Sequence, residues 1–147
     1  MATGAMDVFE NGLLSLIFEN ANYSNVGDAT GLRGSSTAGS FYISLHTAEP
    51  NEASGTQTSS ESAYTNYARQ AVARSTAGWT VAAGVADNDA AITFPQCGAT
   101  GSTITHCGIG SDVSGAGNLF MTGTASLSVS NGVTPQFAAG ALDVSLS

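Results

Sequence analysis

The chain has 147 residues, of which only 10% are charged; lysine is absent and the formal net charge at pH 7 is −8. Binding to nucleic acid or to an anionic membrane depends on lysine and arginine, so this composition argues against both partners. The hydrophobic content of 42% is too high for a chain that is disordered by composition, and the length fits one domain with its own core.

Residues 6–20 are predicted to form an amphipathic helix. Asp7 is placed to act as the N-cap, and Glu10 follows three residues later in a capping-box arrangement. With helical periodicity, six apolar residues gather on one broad face: Met6, Phe9, Leu13, Leu14, Leu16 and Ile17. The opposite face collects small and polar residues: Asn11, Gly12, Ser15 and Glu19. Val8 and Phe18 are apolar but fall on or near this polar face.

Amphipathicity shows only that one face of the helix is buried, and two interpretations stay open. In the simpler one, the helix covers an open end or a sheet face of its own domain. In the other, it docks on a partner subunit, and four apolar residues make the contact: Phe9, Leu13, Leu16 and Ile17.

Two long polar stretches, residues 22–40 and 48–62, lack apolar periodicity and are predicted to be loops. Loops of this length are usually functional or disordered, so they are candidates for an assembly surface. We expect residues 1–40 to form the helix and an extended arm, and residues 41–147 to form the β domain, within a single domain overall.

From Phe41 onward the hydrophobic period changes to two. Phe41, Ile43 and Leu45 alternate with polar neighbours, which predicts a half-buried strand. Further short runs are separated by Gly, Asn or Pro, at residues 67–73, 79–81, 86–94, 103–109, 119–124, 127–130 and 142–147. About seven or eight short strands at this spacing predict a mainly β fold, an antiparallel sandwich or jelly roll with one N-terminal helix.

No constellation of residues points to catalysis, a cofactor or a metal ion. His106 and Cys107 are neighbours on a predicted strand, so their side chains leave on opposite faces and do not chelate one ion. Cys97 and Cys107 are expected to be two separate buried thiols, with a disulfide across a hairpin as the alternative. We therefore predict no catalytic residue, no cofactor-binding residue and no metal ligand.

Six segments, in chain order, resemble a family of small virion proteins of tailed bacteriophages: Phe41-Tyr-Ile-Ser-Leu-His-Thr-Ala-Glu-Pro50, Tyr67-Ala-Arg-Gln-Ala-Val72, Ala90-Ala-Ile-Thr-Phe-Pro95, Thr105-His-Cys-Gly-Ile-Gly110, Gly117-Asn-Leu-Phe and Pro135-Gln-Phe-Ala-Ala-Gly-Ala-Leu-Asp-Val. The resemblance extends over most of the chain from residue 10 onward. Cys107 stands where an aromatic or aliphatic residue is expected, which bears on packing.

The resemblance implies a structural component of the phage particle without enzymatic activity. We expect a capsid cement (decoration) protein, made in the host cytoplasm, that binds the outside of the shell and stabilises contacts between subunits of the major capsid protein. A homotrimer is the expected state, because trimers are common in this role. The first alternative is a tail-associated fibre or adaptor protein. The second is a module that binds or hydrolyses carbohydrate of the host envelope.

Overall fold

The computed structural model of the protein describes residues 5–146. Residues 1–4 and 147 lie outside the described range. The predicted division of the chain into segments 1–40 and 41–147, which includes these residues, stays a prediction. The described residues form one helix and nine strands: α1 Asp7–Phe18, β1 Ser40–His46, β2 Gln70–Ala73, β3 Trp79–Ala82, β4 Val85–Asn88, β5 Ile92–Thr93, β6 Ser102–Gly110, β7 Leu119–Val129, β8 Gln136–Phe137 and β9 Asp143–Ser145.

The prediction of a mainly β, antiparallel fold with one helix near the N-terminus is confirmed, with 36% strand and 8% helix. The described strands form a four-stranded sheet in the order β2-β1-β6-β7, a three-stranded sheet in the order β3-β4-β9 and a two-stranded sheet of β5 and β8. β1 pairs with β6, which follows much later in the chain, and this register places His46 opposite His106.

The described chain divides into two compact units, which we name by their content. The helical unit contains α1, β3, β4 and β9, in residues 5–39, 73–91 and 137–146. The sheet unit contains β1, β5, β6 and β7, in residues 40–72 and 92–136. The helical unit therefore combines three separate parts of the sequence.

The helix α1 packs through Leu14 and Phe18, which are fully buried. The Phe18 ring meets the Trp79 ring of β3 edge to face, with centroids 4.7 Å apart. The helical pattern placed Leu14 on the buried face correctly, but it left Phe18 near the polar side. Within the described residues, no helix has the length and apolarity that a membrane span requires.

The start of α1 differs from the prediction. Met6 is the N-cap residue and makes no side-chain cap hydrogen bond, so the assignment of Asp7 as N-cap was wrong. Asp7 and Glu10 instead lie in the first turn, where their carboxylates interact favourably with the helix dipole. A Cβ added at Gly84 would lie 2.7 Å from Glu10 Oε2. The Glu10 carboxylate thus lies beside Gly84, in the turn between β3 and β4, and does not form the predicted capping box with Asp7.

The polar face of α1 lies against the turn between β3 and β4. Ala83 and Gly84 have φ angles of 51° and 77°, as expected of a two-residue hairpin turn. The Gly84 N–H donates to Asn11 Oδ1 at 2.7 Å, and the Val81 N–H donates to Glu19 Oε1 at 3.3 Å. This face packs on the hairpin because its side-chain oxygens accept hydrogen bonds from backbone donors that need partners.

The C-terminal end of α1 is held by Arg74. Its guanidinium donates to the Leu16 carbonyl at 2.6 Å and also to the Ile17 carbonyl. The same group donates to Ser35 Oγ at 3.2 Å and to the Ala38 carbonyl at 3.4 Å. The last turn of α1 contains no basic residue. Arg74 thus supplies, from a distant part of the sequence, the cation that the helix dipole favours.

Residues 22–39, nearly all of the predicted polar loop 22–40, fold back within the helical unit. Tyr23 and Leu32 form an antiparallel bridge. The Asn20 side chain donates to the Ser35 carbonyl at 2.9 Å and accepts from the Ser35 N–H at 2.6 Å. Asparagine side chains supply the hydrogen bonds that a strand ladder would otherwise provide, so a segment without apolar periodicity is still ordered by its polar groups.

The strand β1 is buried on both faces, although its alternation predicted burial on one. Ile43 and Leu45 are buried as expected, but Ser44 and His46 are also fully buried. The loop that follows the strand covers this second face, and the His46 ring bonds the carbonyl of Ser59 at 2.8 Å. Alternation cannot reveal such a cover, because it comes from another segment.

Several strand boundaries also differ from the prediction. The run 86–94 forms two strands, β4 and β5, since the Asn88 side chain donates to the Ala90 carbonyl and turns the chain. The runs 119–124 and 127–130 form the single strand β7, which absorbs a bulge against β6.

The two cysteines are separate and buried, as predicted. Cys97 is 2% exposed and Cys107 is 5% exposed. Burial raises the pKa of the Cys107 thiol, which keeps it protonated at neutral pH.

Candidate functional site

The sheet unit contains a group of polar side chains held against the backbone of β1 and β6. We call it the polar cluster, and its members are Ser44, His46, Gln57, Glu61, Tyr67 and Arg69. Two of the segments that resemble phage virion proteins contribute members to the cluster. Three others pack on it, two through glycines and one through the Phe94 ring. We therefore take the polar cluster as the candidate functional site.

An ion pair between Arg69 and Glu61 forms the centre of the cluster. Arg69 Nε donates to Glu61 Oε1 at 2.7 Å and its Nη2 donates to Oε2 at 2.8 Å, a two-point contact. The side chains are 2% and 16% exposed. The hydrogen bonds to Glu61 raise the pKa of Arg69 further above its usual value. Tyr67 also donates to Glu61 Oε1, at 2.9 Å, and accepts from the Leu45 N–H.

Arg69 also fixes the loop between β6 and β7. Its Nη1 donates to the Asp112 carbonyl at 2.8 Å and its Nη2 donates to the Gly115 carbonyl at 2.7 Å. One guanidinium thus joins the 48–62 loop, through Glu61, to the 111–117 loop. Both loops gain a fixed conformation from a side chain that the sequence analysis did not select.

His46 links β1 to the 48–62 loop. Because a carbonyl only accepts, the Nδ1–H donates to the Ser59 carbonyl, and in the neutral ring Nε2 accepts from the Ser44 hydroxyl at 2.8 Å. Burial lowers the pKa of His46, which keeps the ring neutral. This tautomer satisfies both ring nitrogens inside the protein.

Gln57 is a second link between the 48–62 loop and the 111–117 loop. It is fully buried, and its Oε1 accepts from the Asp112 N–H at 2.8 Å. A Cβ added at Gly110 would lie 2.2 Å from Gln57 Cδ, and one added at Gly117 would lie 2.5 Å from Gln57 Oε1. Glycine is required at both positions because the amide packs directly on the backbone.

Gly108, two residues before Gly110, also has no room for a side chain. A Cβ added at Gly108 would lie 2.8 Å from His46 Nε2 and 2.9 Å from Ser44 Oγ. Since Ser44 pairs with Gly108 and Tyr42 pairs with Gly110 in the register of β1 and β6, the two segments are one packing unit. The glycines make room for the polar cluster.

The chemistry available to the cluster is limited by its burial. The hydrogen bond between Ser44 and His46 is the arrangement of a nucleophile and its base, but both residues are fully buried. The other ring nitrogen faces a backbone carbonyl instead of a carboxylate. Among residues 5–146, no group of three or more His, Cys, Asp or Glu side chains is arranged to hold a metal ion.

The predicted partner-contact residues lie on α1, in the helical unit. Phe9 is 43% exposed, and Leu13, Leu16 and Ile17 are partly exposed. The structure therefore keeps these four side chains together on one helix and leaves each of them some access to solvent. They take no part in the polar cluster.

Comparison with known families identifies the class of the protein. A family model described as "Podophage GP4 fiber I protein gp80" matches residues 4–145, almost the whole chain. The chain belongs to this family. It is therefore a structural protein of the virion of a tailed phage, as the resemblance in the sequence implied. No curated protein matches the chain.

The members of the polar cluster were largely missed from the sequence. Glu61 was treated as part of a solvated loop, and Arg69 as one residue of a candidate strand. One signal was available: Arg69 is one of three cations in the chain, and it follows Tyr67 by two residues, which places both side chains on the same side of the predicted run 67–73. That signal does not name the carboxylate that Arg69 binds, because the partner lies on another segment.

Proposed function

We propose that this protein is a component of the tail fibre of the virion, or of the adaptor that carries the fibre. The family match over residues 4–145, whose description is that of a fibre protein, is the observation that supports this role. The capsid-cement role expected from the sequence is not confirmed, and the fibre alternative fits the match better. In this proposal the protein has no enzymatic activity and works by staying attached.

The internal construction of the sheet unit supports an attachment role. Arg69 and Gln57 fix two loops by buried hydrogen bonds, so the loops are held before a partner binds. Few long charged side chains are present, and little rotamer entropy is lost when such a surface is immobilised. The net charge of −8 repels DNA, which suits a position outside the packaged genome.

The partner-contact surface in this proposal is the apolar side of α1. It contains the four predicted residues, and the side chain of Met6 on the same side is 72% exposed. Apolar side chains that stay exposed on an amphipathic helix are typical of a docking surface. A homotrimer and a contact with the major capsid protein, both expected from the sequence, stay predictions; the second applies only to the cement role.

Copy number in the virion tests the choice between fibre and cement. Densitometry of a virion gel against the major capsid protein should give tens of copies per particle at most for a fibre component. A count in the hundreds, with binding of the purified protein to tail-less shells, would overturn the fibre role and restore the cement role.

A pair of neighbouring leucines tests the contact surface of α1. Leu13→Asp should leave the thermal unfolding curve close to that of the wild type but abolish incorporation into the particle. Leu14→Asp is the matched control, because Leu14 is fully buried, and it should unfold the helical unit. Incorporation of the folded Leu13→Asp protein at the wild-type level would exclude this helix side as the contact.

A further inference from the structure

The strand β7 leaves one edge of the four-stranded sheet open. It is the last strand in the order β2-β1-β6-β7, and among residues 5–146 no strand pairs with its outer side. With 11 residues it is also the longest strand that the structure describes. An antiparallel partner along its whole length would form about ten backbone hydrogen bonds.

β7 lacks the features with which proteins usually protect an open edge. Its sequence, Leu-Phe-Met-Thr-Gly-Thr-Ala-Ser-Leu-Ser-Val, contains no charged residue and no proline. The other edge strands of the described chain are protected by their shortness: β2 and β3 have four residues each, and β9 has three, one of which is Asp143. Only β7 offers a long uncharged edge.

We propose that β7 pairs in antiparallel fashion with β7 of a second copy of this chain. The partner strand has to be long and uncharged to match the edge, and among the described strands β7 itself meets both conditions. Two register shifts against β6 leave residues 121–124 as the longest regular stretch. A pair centred on Gly123 places Thr122 of each copy opposite Thr124 of the other, a favourable cross-strand pair.

The same register pairs apolar side chains with one another. Leu119, Met121, Ala125 and Leu127 are partly buried. The register shifts against β6 place Leu119 and Leu127 on the face of Thr122 and Thr124, and Met121 on the opposite face. Pairing about Gly123 puts Met121 opposite Ala125 and Leu119 opposite Leu127, so apolar side chains meet apolar ones. The two sheets then continue into one another with the same face on the same side.

Charge explains why the second copy joins here. Each copy carries a net charge of −8, so two copies repel one another unless they meet along a surface free of carboxylates. The edge of β7 is such a surface over 11 residues. The resulting dimer has two-fold symmetry and differs from the trimer expected from the resemblance. It does not depend on the fibre role, since a cement protein would have the same edge.

A charge exchange on the full-length protein tests the pairing. Thr122 and Thr124 are exposed, so we expect Thr122→Lys/Thr124→Lys and Thr122→Glu/Thr124→Glu variants to fold. In the homodimer each change puts like charges opposite one another, and sedimentation should show loss of the dimer for each variant alone. An equimolar mixture of the two variants should recover it. Thr103→Lys, on the inner strand β6, is the control and should stay dimeric.

Hydrogen exchange of the unmodified protein gives a second, independent readout. The amides of β7 should become more protected as the protein concentration rises through the dimerisation range. A wild-type monomer at all concentrations, a trimer, or failure of the equimolar mixture to recover the dimer would overturn the proposal. Protection of β7 that appears only on addition of virion parts would assign the edge to a different protein.

Discussion

The helical unit and the sheet unit each depend on one arginine, but they use it in different ways. Arg74 donates to the Leu16 and Ile17 carbonyls and to neutral groups of the following segment. Arg69 pairs with the Glu61 carboxylate at two points and donates to two loop carbonyls. Two of the three cations of the chain therefore have structural roles inside the molecule.

The difference shows what a buried charge needs from its surroundings. Arg74 is half-buried and meets only the negative end of a helix and neutral acceptors, so its removal leaves no unpaired charge. Arg69 is buried with a carboxylate, so its removal leaves Glu61 charged and enclosed. Removing one partner of a buried ion pair costs much more than removing a helix cap.

The largest effect should follow from Arg69→Met. We expect the sheet unit to lose about 3–5 kcal/mol of its free energy of unfolding, because the Glu61 carboxylate loses its partner. Denaturant unfolding, followed by hydrogen exchange of the β6 amides, measures this loss. Arg33→Met is the control, since Arg33 is exposed and its replacement should change stability by no more than about 0.5 kcal/mol.

Replacing Glu61 together with Arg69 should recover part of the lost free energy of unfolding. The Arg69→Met/Glu61→Met variant should be more stable than Arg69→Met alone, since no charge is then left enclosed. Arg69→Lys should recover little, because an ammonium group does not reproduce the two-point contact. Equal stability of wild-type and Arg69→Met proteins would show that the ion pair does not hold the two loops.

A smaller effect is expected from Arg74→Met. The helical unit should lose about 1–2 kcal/mol, the range of a partly buried cation at a helix C-terminus. The fluorescence of Trp79, the single tryptophan, reports this unit because its ring contacts Phe18. Arg74→Lys should recover a substantial part, in contrast to Arg69→Lys. Equal recovery of stability by Arg74→Lys and Arg69→Lys would show that the two arginines do not differ in this way.

The smallest effects concern pH, and the two units should respond to acid in opposite directions. The pKa of His46 lies below its usual 6.5 because of burial. When the pH falls below 6.5, His46 is protonated in the unfolded chain but stays neutral in the folded sheet unit. The free energy of unfolding therefore decreases as the pH falls. His46→Gln should weaken this dependence in β6 amide exchange.

In the helical unit, burial, together with Asp143 and Asp89, raises the pKa of Asp87 above its usual 3.8. Asp87 faces Asp143 directly across β4 and β9. The folded unit binds this proton more tightly than the unfolded chain, so stability increases as the pH falls through the raised pKa. Asp87→Asn should stabilise the unit at neutral pH and weaken that increase in Trp79 fluorescence. A decrease of stability at neutral pH would contradict the repulsion.

Particular residues show where prediction from the sequence succeeded and where it failed. Leu14, Ile43 and Leu45 were placed in the core correctly, because periodicity reports which side chains of one element share a face. Phe18 and His46 were placed wrongly or incompletely. Their burial depends on Trp79 in one case and on the 48–62 loop in the other, and periodicity within an element carries no information about either.

The amino-acid sequence by itself determined the mainly β class, the single helix, the buried thiols and the kinship with phage virion proteins. These follow from local periodicity, composition and motifs. Tertiary structure alone decided which glycines make room for Gln57 and His46, which carboxylate Arg69 binds, and which strand edge stays open. The reason is physical: each of these depends on a pairing between segments distant in the chain, and long-range pairings leave no periodic trace in either segment.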